Sequence, residues 1–297
     1  MENCFPNDEQ KFNELMSQID RELAKQKLDI PKRPIRALGV ISTRFGIPLP
    51  LGQPMPGTFP ELSKYWPISK RIKKWYENRY GDRLKMDFSF GRMAFMIDED
   101  IWVFRFHRFW GSGKFVSSKT IKSERIRTDG KPFTYNILDC IESLPDGFRV
   151  SLSDSQLVML GKYFRLGSEV FSSLEMLSGN DLIMSAKADI STSIDHLFTQ
   201  QPQYGLSKWS SLQAAEKLLK ATIEMRGGNY SKSHILNKLV EEVKRSGLDL
   251  DVSIIVSEIQ CTPAIRYGQE KCSKTDAIRA HHAVFKLATA IIKGMKI

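Results

Sequence analysis

The chain has 297 residues, of which 41% are hydrophobic and 26% are charged, and these proportions exclude wholesale disorder. No apolar run approaches the roughly 18 residues of a membrane span, and the polar, acidic N-terminus argues against a secretory signal peptide. We therefore expect no membrane association. The four cysteines show no C-x-x-C spacing, which favours free thiols and a cytoplasmic location over a disulfide framework or a metal site.

The formal net charge of +10 is distributed unevenly along the chain. Residues 31–130 contain 20 Lys and Arg against 9 Asp and Glu, a net charge of +11, whereas the remainder has 24 against 25, a net charge of −1. A concentrated positive field attracts phosphate-bearing partners and releases their counterions on binding. The other interpretation is a solvated basic face that only keeps the protein in solution.

The N-terminal part is predicted to form a polar helical arm over residues 1–29 and then a basic, aromatic-rich α+β domain over residues 30–177. The arm has one apolar stripe, with spacings of three and four residues: Phe12, Leu15, Ile19 and Leu23. In the domain, a helix over Glu61–Tyr80 begins late or kinks at Pro67. Alternating apolar residues on both sides of Asp98-Glu-Asp100 then predict a β-hairpin.

Basic residues of this α+β domain lie beside aromatic ones, which is typical of surfaces that follow a nucleic-acid backbone while bases stack on rings. Trp75 and Tyr76 are the neighbouring rings on the helix, although core packing is the simpler interpretation for most of these aromatic residues. The candidate nucleic-acid-binding residues here are Lys70, Arg71, Lys73, Lys74, Arg105 and Arg108.

Residues 178–297 are predicted to form an all-α, up-and-down bundle of five amphipathic helices with short connections. The last helix opens with a capping-box pattern, Ser273-x-x-Asp276. In that helix His281 falls on the apolar stripe and is expected to be a core histidine. The fold class is therefore an α+β N-terminal domain followed by a helical bundle.

Three short elements follow one another in the bundle and carry a resemblance to a known family. They are Gln213-Ala-Ala-Glu216-Lys217 with Lys220, then Lys232-Ser-His234-x-Leu236, then Arg266-Tyr267-Gly268. In this order they resemble the Q-A-x-E-K-x-x-K, K-T-H-x-L and R-Y-P elements of HEPN domains. The resemblance covers about residues 180–295 and does not extend to the N-terminal region.

The resemblance implies a four- or five-helix bundle that often forms a homodimer with an RNA-facing cleft, and that requires no cofactor or metal. Many HEPN proteins are metal-independent RNases of toxin–antitoxin, anti-phage or CRISPR systems, and others only bind or dimerise. Catalytic members carry R-x4–6-H, in which the guanidinium holds phosphate and the imidazole moves a proton.

This sequence lacks R-x4–6-H in its strict form. None of its five histidines has an arginine five to seven residues upstream, and the nearest pair, Arg226 and His234, has seven residues between its members. The candidate catalytic residues are Arg266, His234 and Arg226. The candidate nucleic-acid-binding residues in the bundle are Glu216, Lys217, Lys220 and Tyr267.

Two functions stay open at this point. The first is RNA binding with metal-independent endoribonuclease activity in prokaryotic defence or toxin–antitoxin biology. The alternative is a catalytically inactive HEPN module that dimerises and senses a nucleotide or a cognate partner protein. For Glu216 and Lys220 the simplest interpretation is an i,i+4 ion pair on a solvated helix face.

Overall fold

The computed structural model describes residues 5–54, 57, 59–84, 89–109, 112–123 and 132–295. Contacts divide the chain into two compact units, residues 1–87 and residues 88–297. None of the helices in the described ranges has the length and hydrophobicity needed to cross a lipid bilayer.

Within the described residues of the first unit, all regular secondary structure is helical. The predicted stripe of the first helix is confirmed, because Phe12, Ile19 and Leu23 are buried and Leu15 is partly buried. This helix does not extend as an arm, since its stripe packs with Ile41 and other apolar residues of the next helices. The described α-helices of the first unit are α1 (Glu9–Lys25), α2 (Arg33–Phe45), α3 (Pro60–Ser63) and α4 (Trp66–Tyr80).

A buried carboxylate also ties these helices together. The side chain of Asp20 on α1 is 3% exposed and pairs with Arg33 and Arg79 at 3.3 Å each. It also accepts a hydrogen bond from the Tyr80 hydroxyl at 2.5 Å. Charges at buried positions are tolerated when they are paired in this way, so α1 is fixed to both α2 and α4.

The second unit begins with the predicted β-hairpin, which is confirmed. Strands β1 (Ser89–Ile97) and β2 (Asp100–His107) pair antiparallel around a turn at Asp98–Glu99. Two short strands, β3 (Gly113–Val116) and β4 (Phe133–Asn136), form a separate parallel pair. The helices of this unit are α5 (Asp146–Ser151), α6 (Asp154–Met176), α7 (Asp181–Asp195), α8 (Tyr204–Met225), α9 (Leu236–Arg245), α10 (Ser253–Ile259) and α11 (Lys274–Met295).

Helix α8 is the centre of the bundle. It contacts α7, α9, α10 and α11, and 13 of its 22 residues are buried. The capping box of α11 is confirmed, since the Ser273 hydroxyl accepts from the Asp276 amide while the Asp276 carboxylate accepts from Ser273. The expected order, an α+β region followed by a helical bundle, is therefore confirmed.

The hairpin packs on the bundle instead of standing apart from it. Strand β1 contacts α6, α7 and α11, and Gly167 on α6 lets the Phe106 ring approach so closely that a Cβ would lie 2.2 Å from it. One hydrophobic core continues from Met93 on β1 to Ile291 on α11. The division into residues 1–29, 30–177 and 178–297 thus differs from the structure, whose boundary lies inside the predicted middle domain.

Two adjacent histidines of α11 hold the backbone of β1. His281 Nε2 accepts the Ala94 N–H at 3.1 Å, and His282 Nε2 donates to the Ala94 carbonyl at 2.8 Å. The ring proton of His281 is therefore on Nδ1, from which it reaches the Ser193 hydroxyl at 2.9 Å. Burial lowers the pKa of His281 to about 3 and that of His282 to about 4. The expectation of a core histidine at position 281 is confirmed.

Candidate functional site

One face of α8 carries a stripe of polar and aromatic residues in an otherwise buried helix. Trp209, Gln213, Glu216 and Lys220 recur at spacings of three and four, so their side chains project from the same side. We call these four residues the α8 stripe. Loops that follow α8 and α10 place further side chains against its two ends.

Glu216 is the central carboxylate of the α8 stripe. Its side chain is only 8% exposed, yet both oxygens have cationic or protonatable partners. Oε1 accepts from Lys220 Nζ at 2.6 Å, and Oε2 accepts from His234 Nδ1 at 2.8 Å. A carboxylate removed from water and bonded at both oxygens keeps its neighbours in fixed positions.

His234 differs from the other two members of this network because its side chain is 67% exposed. The Nδ1 proton is directed to Glu216, which leaves Nε2 as the proton acceptor facing outward. In the part of the chain that the structure describes, Nε2 has no hydrogen-bond partner. The Gln260 side chain fixes the loop, since it accepts the Leu236 N–H at 2.9 Å and donates to the His234 carbonyl at 3.4 Å.

The cations Lys217 and Lys220 at this end of α8 also contact residues outside the α8 stripe. Lys217 Nζ is 2.6 Å from Asp189 Oδ2 on α7, and burial raises the pKa of Asp189 although Lys217 opposes the shift. Lys220 Nζ lies 5.4 Å from the centre of the Tyr230 ring, which is 39% exposed. The sequence-predicted residues Glu216, Lys217, Lys220 and His234 are thus brought together.

Arg266 and Tyr267 lie at the other end of the stripe, on a short 3-10 turn, Pro263–Tyr267. The Arg266 guanidinium carbon is 5.0 Å from the centre of the Trp209 ring and 5.7 Å from that of Tyr267. The turn sits directly on α8, because a Cβ at Gly205 would lie 2.5 Å from the Ile265 carbonyl oxygen. Among the described residues, Arg266 has no carboxylate within ion-pair distance.

Arg266 and His234 share one helix face but contact different parts of it. Their partners Trp209 and Glu216 are seven residues apart, which is about 10 Å along a helix axis. A group between them would meet an imidazole nitrogen at one side and a guanidinium at the other. Exposed rings of Tyr230 and Tyr267 border both ends of this surface.

Comparison with known families gives one match, to the HEPN domain, over residues 180–293. The C-terminal region of the chain is a HEPN domain. The region before residue 180 matches no family, and neither curated proteins nor solved structures give a match to the chain. The matched segment begins at the N-cap of α7 and ends in the last turn of α11.

Arg226, the third candidate for catalysis, lies at the end of α8 and uses its guanidinium for structure. Its Nε and Nη2 donate to the carbonyls of Ser246 and Gly247 at 2.8 and 3.0 Å. These carbonyls follow the C-terminus of α9, where backbone acceptors lack helical partners. In the HEPN domain Arg226 therefore ties α8 to the end of α9 and is not directed toward His234.

The basic residues of α4 have two different roles. Arg71 pairs with Glu9 at 2.6 Å and covers the Phe12 ring at 3.9 Å, and Lys73 donates to the Leu51 carbonyl. Both belong to the internal packing of the first unit. Lys70 and Lys74 are exposed, and neither has a partner within the described ranges.

The remaining predicted contacts are on the hairpin and the neighbouring ring residues. Arg105 pairs with Glu142 at 2.9 Å and Arg108 pairs with Glu175, so both cations are neutralised by carboxylates of the same unit. Tyr76 is fully buried and cannot stack on a base. Tyr76 therefore belongs to the core, as the alternative interpretation held.

Asp189, Trp209 and Tyr230 are site residues that the sequence interpretation missed. Trp209 precedes Gln213 by four residues, so helical spacing alone could have added it to the α8 stripe. Asp189 lies on another helix and Tyr230 lies in a loop, and both reach the site through tertiary contacts that no local pattern reveals.

Proposed function

We propose that this protein binds RNA and that its HEPN domain cleaves RNA without a metal ion. The observation that carries the proposal is the exposed imidazole of His234 held by the buried Glu216 carboxylate. A carboxylate that fixes the tautomer of an imidazole leaves the opposite nitrogen ready to accept a proton. Ribonucleotide cleavage requires such a base near neutral pH.

The reaction we propose is an internal transfer at one phosphodiester. His234 Nε2 takes the proton of a ribose 2′-OH, and the 2′-oxygen forms a bond to the adjacent phosphorus. The bond from phosphorus to the 5′-oxygen breaks, and that oxygen takes up a proton. The products are a 2′,3′-cyclic phosphate and a 5′-hydroxyl end. Arg266 and Lys220 supply cations for the negative charge on phosphorus-bound oxygens.

Rings and basic residues outside this pair would hold the RNA. Tyr267 is 71% exposed and Tyr230 is 39% exposed, and stacking on such rings tolerates any base. Lys217, and Lys70 and Lys74 on α4, add positive charge that attracts phosphates. We include homodimerisation through the helical bundle and a role in prokaryotic defence or toxin–antitoxin biology, with a possible cognate partner protein, because the family resemblance implies them.

A catalytically inactive HEPN module that senses RNA, a nucleotide or a partner is the second candidate. It is favoured by the placement of Arg266, whose guanidinium contacts Trp209 and Tyr267 about 10 Å along α8 from the Glu216–His234 pair. The absence of R-x4–6-H favours the same candidate. Under this alternative the α8 stripe binds RNA and releases it unchanged.

Incubation of the 297-residue protein with end-labelled RNA in EDTA distinguishes the two candidates. We expect cleavage with 2′,3′-cyclic phosphate ends, and a loss of about 10²-fold or more in rate for His234→Ala and Arg266→Ala, because each removes a group that acts on the reacting atoms. His196→Ala and Arg279→Ala are matched controls away from the α8 stripe and should cleave normally. RNA that is bound but left intact by the wild type would support the inactive module, and cleavage unchanged in His234→Ala would exclude the proposed base.

A further inference from the structure

A cleft of about 1030 Å³ lies outside the HEPN domain, between the end of β2, strand β4 and helix α5. Its lining includes cationic side chains and aromatic rings. Cavities of several hundred Å³ hold small organic ligands. The residues that line it come from the region before residue 180, which matches no family.

Arg149 on α5 is one of the charged residues that line this cleft. Its side chain is 11% exposed, and Nη2 donates to Asp139 Oδ1 at 2.5 Å. The second oxygen of Asp139 accepts the Ser123 N–H at 2.9 Å, so that carboxylate is fully engaged. Arg149 Nε and Nη1 are buried and have no hydrogen-bond partner in the part of the chain that the structure describes.

A buried guanidinium in which two of the three nitrogens have no hydrogen-bond partner among the described residues is an unusual arrangement, because buried donors are almost always paired. The guanidinium presents its donors in a fork that fits the oxygens of a phosphate. Lys122 and His107 line the same cleft and add a cation and a protonatable ring. Asp146 also lines the cleft, so its walls are not uniformly positive. An anion would therefore bind at Arg149 and Lys122 specifically.

Aromatic rings form another part of the wall. The rings of Phe109 and Tyr135 are 4.5 Å apart between centroids and are inclined at 56°. Both side chains are half-buried and line the cleft. Rings in such positions offer a face or an edge to a planar heterocycle.

We propose that this cleft binds a mononucleotide, with the phosphate at Arg149 and Lys122 and the base against Phe109 and Tyr135. Cationic groups and rings in one cavity of this size match a ligand that joins a phosphate to a planar ring. The site uses no residue of the α8 stripe. It therefore stands independently of RNA cleavage by the HEPN domain.

Calorimetric titration of the 297-residue protein with AMP, GMP, CMP and UMP, and separately with inorganic phosphate and adenosine, tests the proposal. At least one nucleotide should bind more tightly than phosphate or adenosine, because only the nucleotide reaches both halves of the cleft. Lys122→Ala should weaken nucleotide binding about tenfold, which is the loss expected for one charge-assisted contact. Lys119→Ala, three residues away and outside the cleft, is the matched control and should bind as the wild type does.

Two further variants separate this cleft from the HEPN domain. Arg149→Lys keeps the charge but loses the fork and should weaken binding, whereas His234→Ala should leave nucleotide binding unchanged. No binding of any nucleotide at millimolar concentration would overturn the proposal, and so would a loss of binding in His234→Ala. Phosphate binding as tight as nucleotide binding would overturn the role of the rings.

Discussion

At the scale of single residues, the burial of Glu216 couples the stability of the HEPN domain to its candidate site. The expected i,i+4 ion pair of Glu216 and Lys220 is present, but the expected solvated helix face is wrong, because the two side chains are only 8% and 11% exposed. In water such an i,i+4 pair contributes only about 0.2–0.5 kcal/mol. Here the two charges are removed from solvent, and the attraction between them compensates for the hydration that each has lost.

Glu216→Leu should lower the free energy of unfolding by about 3 kcal/mol, because Lys220 stays buried without its partner. The double variant Glu216→Leu, Lys220→Leu should lose less, since no charge is left alone. Urea denaturation of the three proteins measures the difference. Glu241→Leu breaks the exposed pair with Lys244 and should stay within about 0.5 kcal/mol of the wild type. An equal loss of unfolding free energy in the single and double variants would show that the destabilisation does not come from leaving Lys220 without its partner.

Sequence reasoning identified the residues of the site that lie close together in the chain, and it missed those that tertiary contacts supply. Glu216, Lys217 and Lys220 share one helix, and their spacing marks them. Asp189 reaches Lys217 only because α7 packs on α8. Arg226 shows the reverse case, because a cation close to His234 in sequence is bonded to carbonyls beyond α9.

At the scale of elements, the residue at which a helix begins depends on polar side chains that bind nearby backbone groups. The spacing of apolar residues does not reveal these bonds. The spacing of Leu236, Leu239 and Val243 predicts that the third helix of the bundle begins at about Ser233, but α9 begins at Leu236. The Ser233 hydroxyl accepts the Ile235 N–H at 3.1 Å, a local bond that competes with helix formation. The Glu242 carboxylate binds the Ser231 N–H at 2.9 Å and holds the same segment in a loop. That loop is what allows His234 to face Glu216.

The two histidines that hold β1 make the junction of hairpin and bundle sensitive to acid. Their pKa values in the folded protein are about 3 for His281 and about 4 for His282, below the value of about 6.5 in an unfolded chain. The unfolded state therefore binds more protons below pH 6.5. Their contribution to stability is complete above that pH and declines as the pH falls toward 4 and then 3.

Between pH 7 and pH 5 the free energy of unfolding should decrease, with a slope that approaches about 1.4 kcal/mol per pH unit for each histidine. His282→Gln keeps a donor for the Ala94 carbonyl but cannot titrate, so it should remove one histidine's share of the slope. Lys286 and Glu258 are the charged residues that face His282, and both are kept in every variant. His196→Gln is the control, and a slope unaltered in His282→Gln would contradict this assignment.

At the scale of the whole molecule, the division into two units was the part of the fold least accessible to sequence. The amphipathic stripe of α1 was visible, but nothing in it shows that α2 and α4 would cover it. Likewise the hairpin has the alternation of an independent sheet, although β1 packs on three helices. Contacts between residues distant in sequence determine such boundaries. The periodicity of apolar residues shows only that one face of an element is buried, and not which element covers it.

The positive charge of the first unit should govern how RNA binding depends on salt. Replacing Lys70 and Lys74 by Glu should weaken RNA binding and reduce the slope of log K against log salt by about 1.4–1.8, which corresponds to two lost phosphate contacts. Filter binding from 50 to 300 mM KCl measures it. Lys11→Glu with Lys25→Glu makes the same change of charge on exposed positions of α1 and should alter the slope less. Equal effects of the two pairs would indicate a general field in place of a contact surface on α4.

The attachment of β1 to α11 has a consequence for the modularity of this domain. A segment cut at residues 180–293 would keep the family's helices but expose the face of α11 that β1 covers, and both imidazoles would face water. We therefore expect that such a segment does not fold correctly when it is fused to another protein by itself. A fusion that is to keep the fold intact must include the hairpin and α6. The unit that folds is therefore larger than residues 180–293, which the family model covers.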